Sequence, residues 1–160
     1  MSEPPSGRSG FVGVWKLEAV EDFEETEETQ EKILLEGKRA WRPVVGFERP
    51  VGLLIYLSSG HMSVNFAGSS RIPFLSESSP SPSELAAAGA AYGGYAGRWE
   101  VDEARGEVLH HVETAFIPNR VGTTLRRSYS FEESRLVLRP PPTVRGGTRV
   151  ERVLVWQRLD

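Results

Sequence analysis

The stretch GEVLHHVETAFIPNRVG, residues 106–122, sets His110 beside His111 with Glu113 two residues on, and Arg126 and Arg127 stand next to each other shortly after. Imidazoles move protons near neutral pH or ligate metals, and guanidiniums hold carboxylates and other oxyanions. Side-chain direction decides between these roles. The segment is rich in β-formers, and a regular strand sends alternate side chains to opposite faces. Val108, His110, Val112, Thr114 and Phe116 then share one face, and Leu109, His111, Glu113 and Ala115 the other. The two histidines splay apart. With three histidines and no cysteine in the chain, this argues against a zinc site, and no metal is expected. His111 and Glu113 share a face but sit ~7 Å apart, so they could cooperate only across a bound ligand.

Arg126 and Arg127 obey the same alternation, so one of them points inward from a regular strand. A buried guanidinium needs a carboxylate, or else an anionic ligand. Glu113 and Glu100 are the candidate internal partners; a ligand carboxylate, enolate or phenolate is the other option. Aromatic residues fall on the same kind of segment: Trp15, Tyr56, Tyr95, Trp99, Phe116, Tyr129 and Trp156. Most strand aromatics pack the core. Tyr56 and Tyr95 lie near segment ends, where a barrel mouth would be, and their hydroxyls could meet a ligand. Asn65 joins them because a buried amide needs partners, and Trp99, Glu113 and Phe116 complete the candidate ligand-binding set. There is no GxSxG elbow and no GxxxxGK[ST] loop, and Gly93-Gly94 follows a helical stretch instead of opening one. Hydrolase, nucleotide-dependent and oxidoreductase chemistries lose their usual signals, and no cofactor is expected.

The elements that must position these residues are mostly strands. Residues 11–23 alternate, and 51–57 and 62–66 flank a 58–61 turn as a hairpin. Further strands are predicted at 95–101, 107–117, 123–131, 135–138 and 149–158. The acidic run at 21–31 reads as a solvated loop or hairpin tip. Ser81-Pro82-Ser83-Glu84 has the form of a capping box, with Ser81 as N-cap, Pro82 at N1 and Glu84 at N3. The alanines after it predict one short helix, stopped by Gly93-Gly94. The pattern is all-β: a closed or nearly closed antiparallel up-and-down barrel of about eight strands with one short helix. Residues 1–10 read as a flexible tail before a single domain at 11–160. A net charge of -3, from 19 basic and 22 acidic residues, argues against a general nucleic-acid binder. No apolar stretch approaches the ~20 residues of a membrane span, and no secretory leader is seen. A cytoplasmic protein is the expectation, consistent with the lack of cysteine.

Four blocks, GVWKL, PVGLLIYLSSGHMSVNF, YAGRWEVDEARGEVLHHVETAFIPNRVGTTLRR and the terminal LVWQRL, resemble in order the lipocalin-like domain family. The resemblance covers most of residues 11–159 and is weakest at 21–43 and 139–148. It implies a calycin-type barrel around a cavity for a small hydrophobic organic ligand, with Trp15 closing the floor. It also implies that His110, together with Thr114, faces inward. By analogy with family members in biosynthetic clusters, it implies a cofactor-independent cyclase, isomerase or dehydratase acting on a polyketide- or terpenoid-like intermediate. In that reading His110, with a near-neutral pKa, moves a proton and Arg126 or Arg127 stabilises negative charge. Tyr56 and Tyr95 orient the ligand, and residues 68–94 form a lid. The alternatives are a carrier with the same cavity, in which His110 is simply hydrogen-bonded, and an interaction module using the acidic 21–31 run. A homodimer is left open.

Overall fold

Ten strands form one antiparallel sheet in a computed structural model that describes residues 7–160. In chain order they are β1 (Gly13–Glu25), β2 (Arg42–Pro43), β3 (Pro50–Tyr56), β4 (His61–Gly68), β5 (Tyr92–Asp102), β6 (Glu107–Ala115), β7 (Thr124–Glu132), β8 (Arg135–Arg139), β9 (Thr143–Arg145) and β10 (Thr148–Arg158). The sheet order is β2-β1-β3-β4-β5-β6-β7-β8-β10-β9, and β1 also pairs with β10. That last pairing closes eight strands into a barrel. The short β2 and β9 are appended to β1 and β10 beyond the closed part. Closure removes the free edges that a flat sheet of this composition would expose.

Local chemistry explains the connections. In the β3–β4 turn the Leu57 N–H donates to the His61 carbonyl at 2.9 Å, and Gly60 adopts a positive φ of 88° that suits its lack of a Cβ. The expected capping box forms: Ser81 Oγ accepts from the Glu84 N–H at 3.2 Å and the Ser81 N–H donates to Glu84 Oε2 at 2.7 Å. It starts α3 (Pro82–Ala90). This helix ends before Gly93 and Gly94, which lie inside β5 and are not its stop signal.

Two further helices correct the sequence reading. The acidic run at 21–31 is not a loop: residues 21–25 belong to β1, and 27–31 are the first part of α2 (Glu27–Glu36), opened by a capping box in which Thr26 and Thr29 bond each other reciprocally. Its Glu28 and Lys32 pair at 3.0 Å across one turn. Nearer the N-terminus, Arg8–Phe11 form α1, so the expected tail is helical there; residues 1–6 lie outside the described residues.

Phe11 from α1 is fully buried and plugs one end of the barrel. Its ring meets Tyr129 at 4.8 Å, Phe131 at 5.0 Å and Tyr56 at 5.4 Å between centroids. Trp15 Nε1–H donates to the Phe11 carbonyl at 2.9 Å, and the Arg158 guanidinium stacks 4.2 Å above the Trp15 ring. The floor is therefore aromatic and dense, with Trp15 in it as the resemblance implied.

Two bulges interrupt the alternation. In β1 the register against β10 shifts between Leu17 and Ala19, so Val20 continues the inner face begun by Trp15 and Leu17. In β6 the extra residue is Glu113: Ala96 pairs with Thr114 while Gly97 pairs with Val112. Val108, His110 and Val112 face inward before the bulge, and Ala115 packs on the core after it. Thr114 and Phe116 are thereby turned outward, contrary to the unbroken parity expected for this strand.

Candidate functional site

His110 is 1% exposed, with both ring nitrogens occupied. Tyr56 Oη lies 2.6 Å from Nε2 and Tyr95 Oη lies 2.7 Å from Nδ1. Strand geometry brings the three together. Tyr56 ends β3, Tyr95 lies on β5, and Trp99 on β5 pairs directly with His110 on β6. Tyr56 is not at the mouth as its position near a segment end suggested; its end of β3 is the closed end, and its ring packs against Phe11 and Trp99.

Burial governs the electrostatics. It disfavours the imidazolium, and the positive charges of Arg127 and His111 add to it, so the His110 pKa falls from 6.5 to about 3. The near-neutral imidazole expected from the sequence is instead held neutral. Burial likewise pushes the Tyr95 hydroxyl above its ordinary value, with the charges of Arg127 and Arg120 opposing it. Tyr56 is raised well above its ordinary value by burial, and by Tyr95, against a smaller pull from Arg127.

Tyr95 and His110 form part of the wall of a cavity of about 120 Å³. Val20, Leu54, Val64, Phe66, Leu138 and Trp156 supply apolar lining. Arg120, Arg127 and Arg152 also line it, and no carboxylate does. Arg152 is neutralised by Asp22, whose two oxygens take its Nε and Nη2 at 2.7 and 2.9 Å. The Asp22 carboxyl stays below its ordinary value because Arg152 and Arg145 outweigh the opposing effect of its burial. Among the described residues, Arg120 and Arg127 have no acidic partner. The Trp156 indole N–H is buried without a hydrogen-bond partner there. The cavity thus combines an apolar wall with uncompensated positive charge, a pairing that suits an organic anion or a polarisable carbonyl oxygen.

The remaining sequence candidates stand elsewhere. Arg126 points outward and bonds Glu107 at 3.1 Å, so of the two arginines it is Arg127 that faces the cavity. Glu113, the bulge residue, is exposed and lies 3.8 Å from Arg98. Asn65 is on the outer face of β4, accepting from the Tyr92 hydroxyl at 2.7 Å. Phe116 is half-exposed against Tyr92 outside the barrel. Trp99 is buried but belongs to the floor, donating Nε1–H to the Leu57 carbonyl at 3.0 Å. Residues 68–94 contribute nothing to the cavity wall; Val44, Phe47 and Pro140 do, together with Arg120 from the 3-10 turn Pro118–Arg120.

Sequence reasoning missed Arg120 and Arg152. Arg152 carried a signal, since it shares the inward parity of Leu154 and Trp156 on β10, both of which line the cavity. Arg120 carried none, because the turn that places it has no periodicity. Among the described residues no group of three or more His, Asp or Glu could hold a metal ion, and no helix is long and apolar enough to cross a membrane.

Compared with known protein families, residues 12–159 match the model of the lipocalin-like domain. No curated protein matches the chain.

Proposed function

Because the chain belongs to the lipocalin-like domain family, a fold suited to small-molecule binding, we propose that its cavity takes a small, mostly apolar organic molecule bearing an anionic or carbonyl oxygen. The observation that carries this reading is the pair Arg120 and Arg127, without acidic partners among the described residues, on a mainly apolar wall that includes no carboxylate. Two part-buried guanidiniums facing such a cavity offer an anion charge-assisted hydrogen bonds. A polyketide- or terpenoid-like intermediate fits that chemistry. The barrel acts on it without a cofactor, as a cyclase, isomerase or dehydratase, by holding one reactive conformer against fixed donors.

Benzoate and benzyl alcohol, which differ in charge but little in shape, test the binding reading. Trp156 lines the cavity, so quenching of tryptophan emission reports occupancy. Benzoate binds more tightly than the alcohol to the native protein, and Arg127→Gln together with Arg120→Gln removes the preference. Equal binding of the two probes, or a preference that survives both substitutions, sinks the reading.

A carrier is the second reading, favoured by the engagement of both His110 nitrogens, which leaves the imidazole no free site for a ligand proton. Incubation with candidate intermediates separates the two. A carrier returns its ligand unchanged in mass and retention, and an enzyme does not.

A further inference from the structure

A neutral imidazole has one N–H and one lone pair. His110 meets a tyrosine oxygen at each nitrogen, at 2.6 and 2.7 Å. One tyrosine must therefore donate to the ring and the other must accept from it. The two arrangements are not equivalent, because the tyrosines have different surroundings.

If the proton sits on Nε2, Tyr56 accepts it and its own hydroxyl proton needs another acceptor. Tyr56 is fully buried and has no other hydrogen-bond partner among the described residues. If the proton sits on Nδ1, Tyr56 donates to Nε2 and is satisfied. Tyr95 then accepts from Nδ1–H, and its hydroxyl proton is left over. Unlike Tyr56, Tyr95 lines the cavity, and so does Arg127. The leftover proton of Tyr56 would be sealed in protein, whereas that of Tyr95 has the cavity before it, where water or a ligand can accept it; that difference favours the second arrangement by roughly tenfold or more.

We infer that Tyr95, not His110, is the group that touches the ligand oxygen, and that Tyr95 and Arg127 together form an oxyanion site for a phenolate, an enolate or a carbonyl that becomes one. This rests on the small-molecule reading above. His110 and Tyr56 are positioning residues: the Nδ1–H tautomer fixes the Tyr95 oxygen and turns its proton toward the cavity. The chain of bonds does not conduct a proton. Moving one from Nδ1 to Tyr95 would require Nε2 to draw the Tyr56 proton and leave a phenolate at the fully buried end, against the burial that already opposes ionisation there. The network holds a donor in place, as preorganised oxyanion sites do. A cavity of about 120 Å³ suits a ligand portion of about one aromatic ring at this site.

Two measurements test the assignment. In the free protein, nitrogen-15 NMR of the histidine side chains reads the tautomer directly, and His110 is expected neutral with its proton on Nδ1. In the second, para-nitrophenol is titrated against the protein with nitrobenzene as the shape control. The native protein takes up the yellow phenolate in preference to the neutral phenol. Tyr95→Phe, which keeps the ring, weakens phenolate binding about tenfold or more and leaves nitrobenzene unaffected; Arg127→Gln acts in the same direction. A proton on Nε2, an imidazolium, or phenolate binding undiminished in Tyr95→Phe overturns the Tyr95 assignment alone. Binding of neither nitrophenol nor nitrobenzene overturns the small-molecule reading and this inference with it. Should Tyr95→Phe fail to fold, the tautomer in the native protein still decides.

Discussion

Acid should destabilise this protein in part through one buried imidazole. In the unfolded chain His110 takes a proton with the ordinary pKa of 6.5, whereas in the fold burial, then the charges of Arg127 and His111, hold it to about 3. Between those values the unfolded state binds a proton that the folded state does not. The resulting stability is therefore fully present above 6.5 and drains away as pH falls toward 3, at a limiting slope of about 1.4 kcal/mol per pH unit. Going from about pH 7 to about pH 4.5 removes about 2.5 kcal/mol, a large share of the margin of an ordinary domain. Urea unfolding at the two pH values, on the native protein and on His110→Gln, measures it. The amide of Gln offers a donor and an acceptor to the two tyrosines and does not titrate. Contributions from carboxylates such as Asp22 are common to both proteins and cancel in the difference. The native protein should lose about 2.5 kcal/mol more than the variant over this interval. If the two proteins lose stability in parallel, His110 is not the buried neutral base described here.

The barrel itself supports sharper tests by substitution. Phe11→Ala opens the plug at the floor, where the ring is wholly buried among Tyr56, Tyr129 and Phe131; it should cost about 3–5 kcal/mol in urea unfolding, and a loss under about 1 kcal/mol would mean that α1 does not hold the floor. Gly97→Ala places a Cβ 2.0 Å from the His111 carbonyl oxygen, which is backbone and cannot step aside. It should cost more than about 2 kcal/mol and weaken para-nitrophenol binding, because the same two strands carry Tyr95 and His110. Gly93→Ala is the milder control: its Cβ meets the end of the Phe66 ring at 2.5 Å, and a side chain can turn away. Equal losses at the two glycines would contradict the backbone argument.

Much of this architecture is written in local patterns. The β3–β4 hairpin and the Ser81–Glu84 capping box depend on neighbours in sequence, so they could be read directly. The helix α2 was hidden for the opposite reason. Its glutamates look like a solvated run, and its capping box uses Thr29 where the familiar pattern has Glu or Gln. None of its residues is buried, so no apolar stripe betrays it. The β6 bulge shows a different obstacle. Alternation correctly separates His110 from His111, but one extra residue at Glu113 reverses every later assignment on that strand. Nothing in the composition of HVETA marks where the insertion falls; it is set by the pairing with β5 at Gly97, where the backbones approach too closely for a Cβ.

The site itself divides in the same way. Parity requires one inward residue from each adjacent pair, and the register then chooses: Arg127 stands opposite Val108, which packs in the main core cluster, while Arg126 stands opposite Leu109, which lies outside that cluster, and bonds outward to Glu107. What alternation could not supply is the relation among Tyr56, Tyr95 and His110, which are separated by 54 and 15 positions from the histidine. Each tyrosine alone has the look of an ordinary core aromatic. Together they exhaust the hydrogen-bonding capacity of one neutral ring, and that count changes which residue is chemically available. The histidine that draws the eye in the sequence has both ring nitrogens engaged. The free donor passes to Tyr95, because only Tyr95 has both an acceptor role toward the ring and an open side toward the cavity.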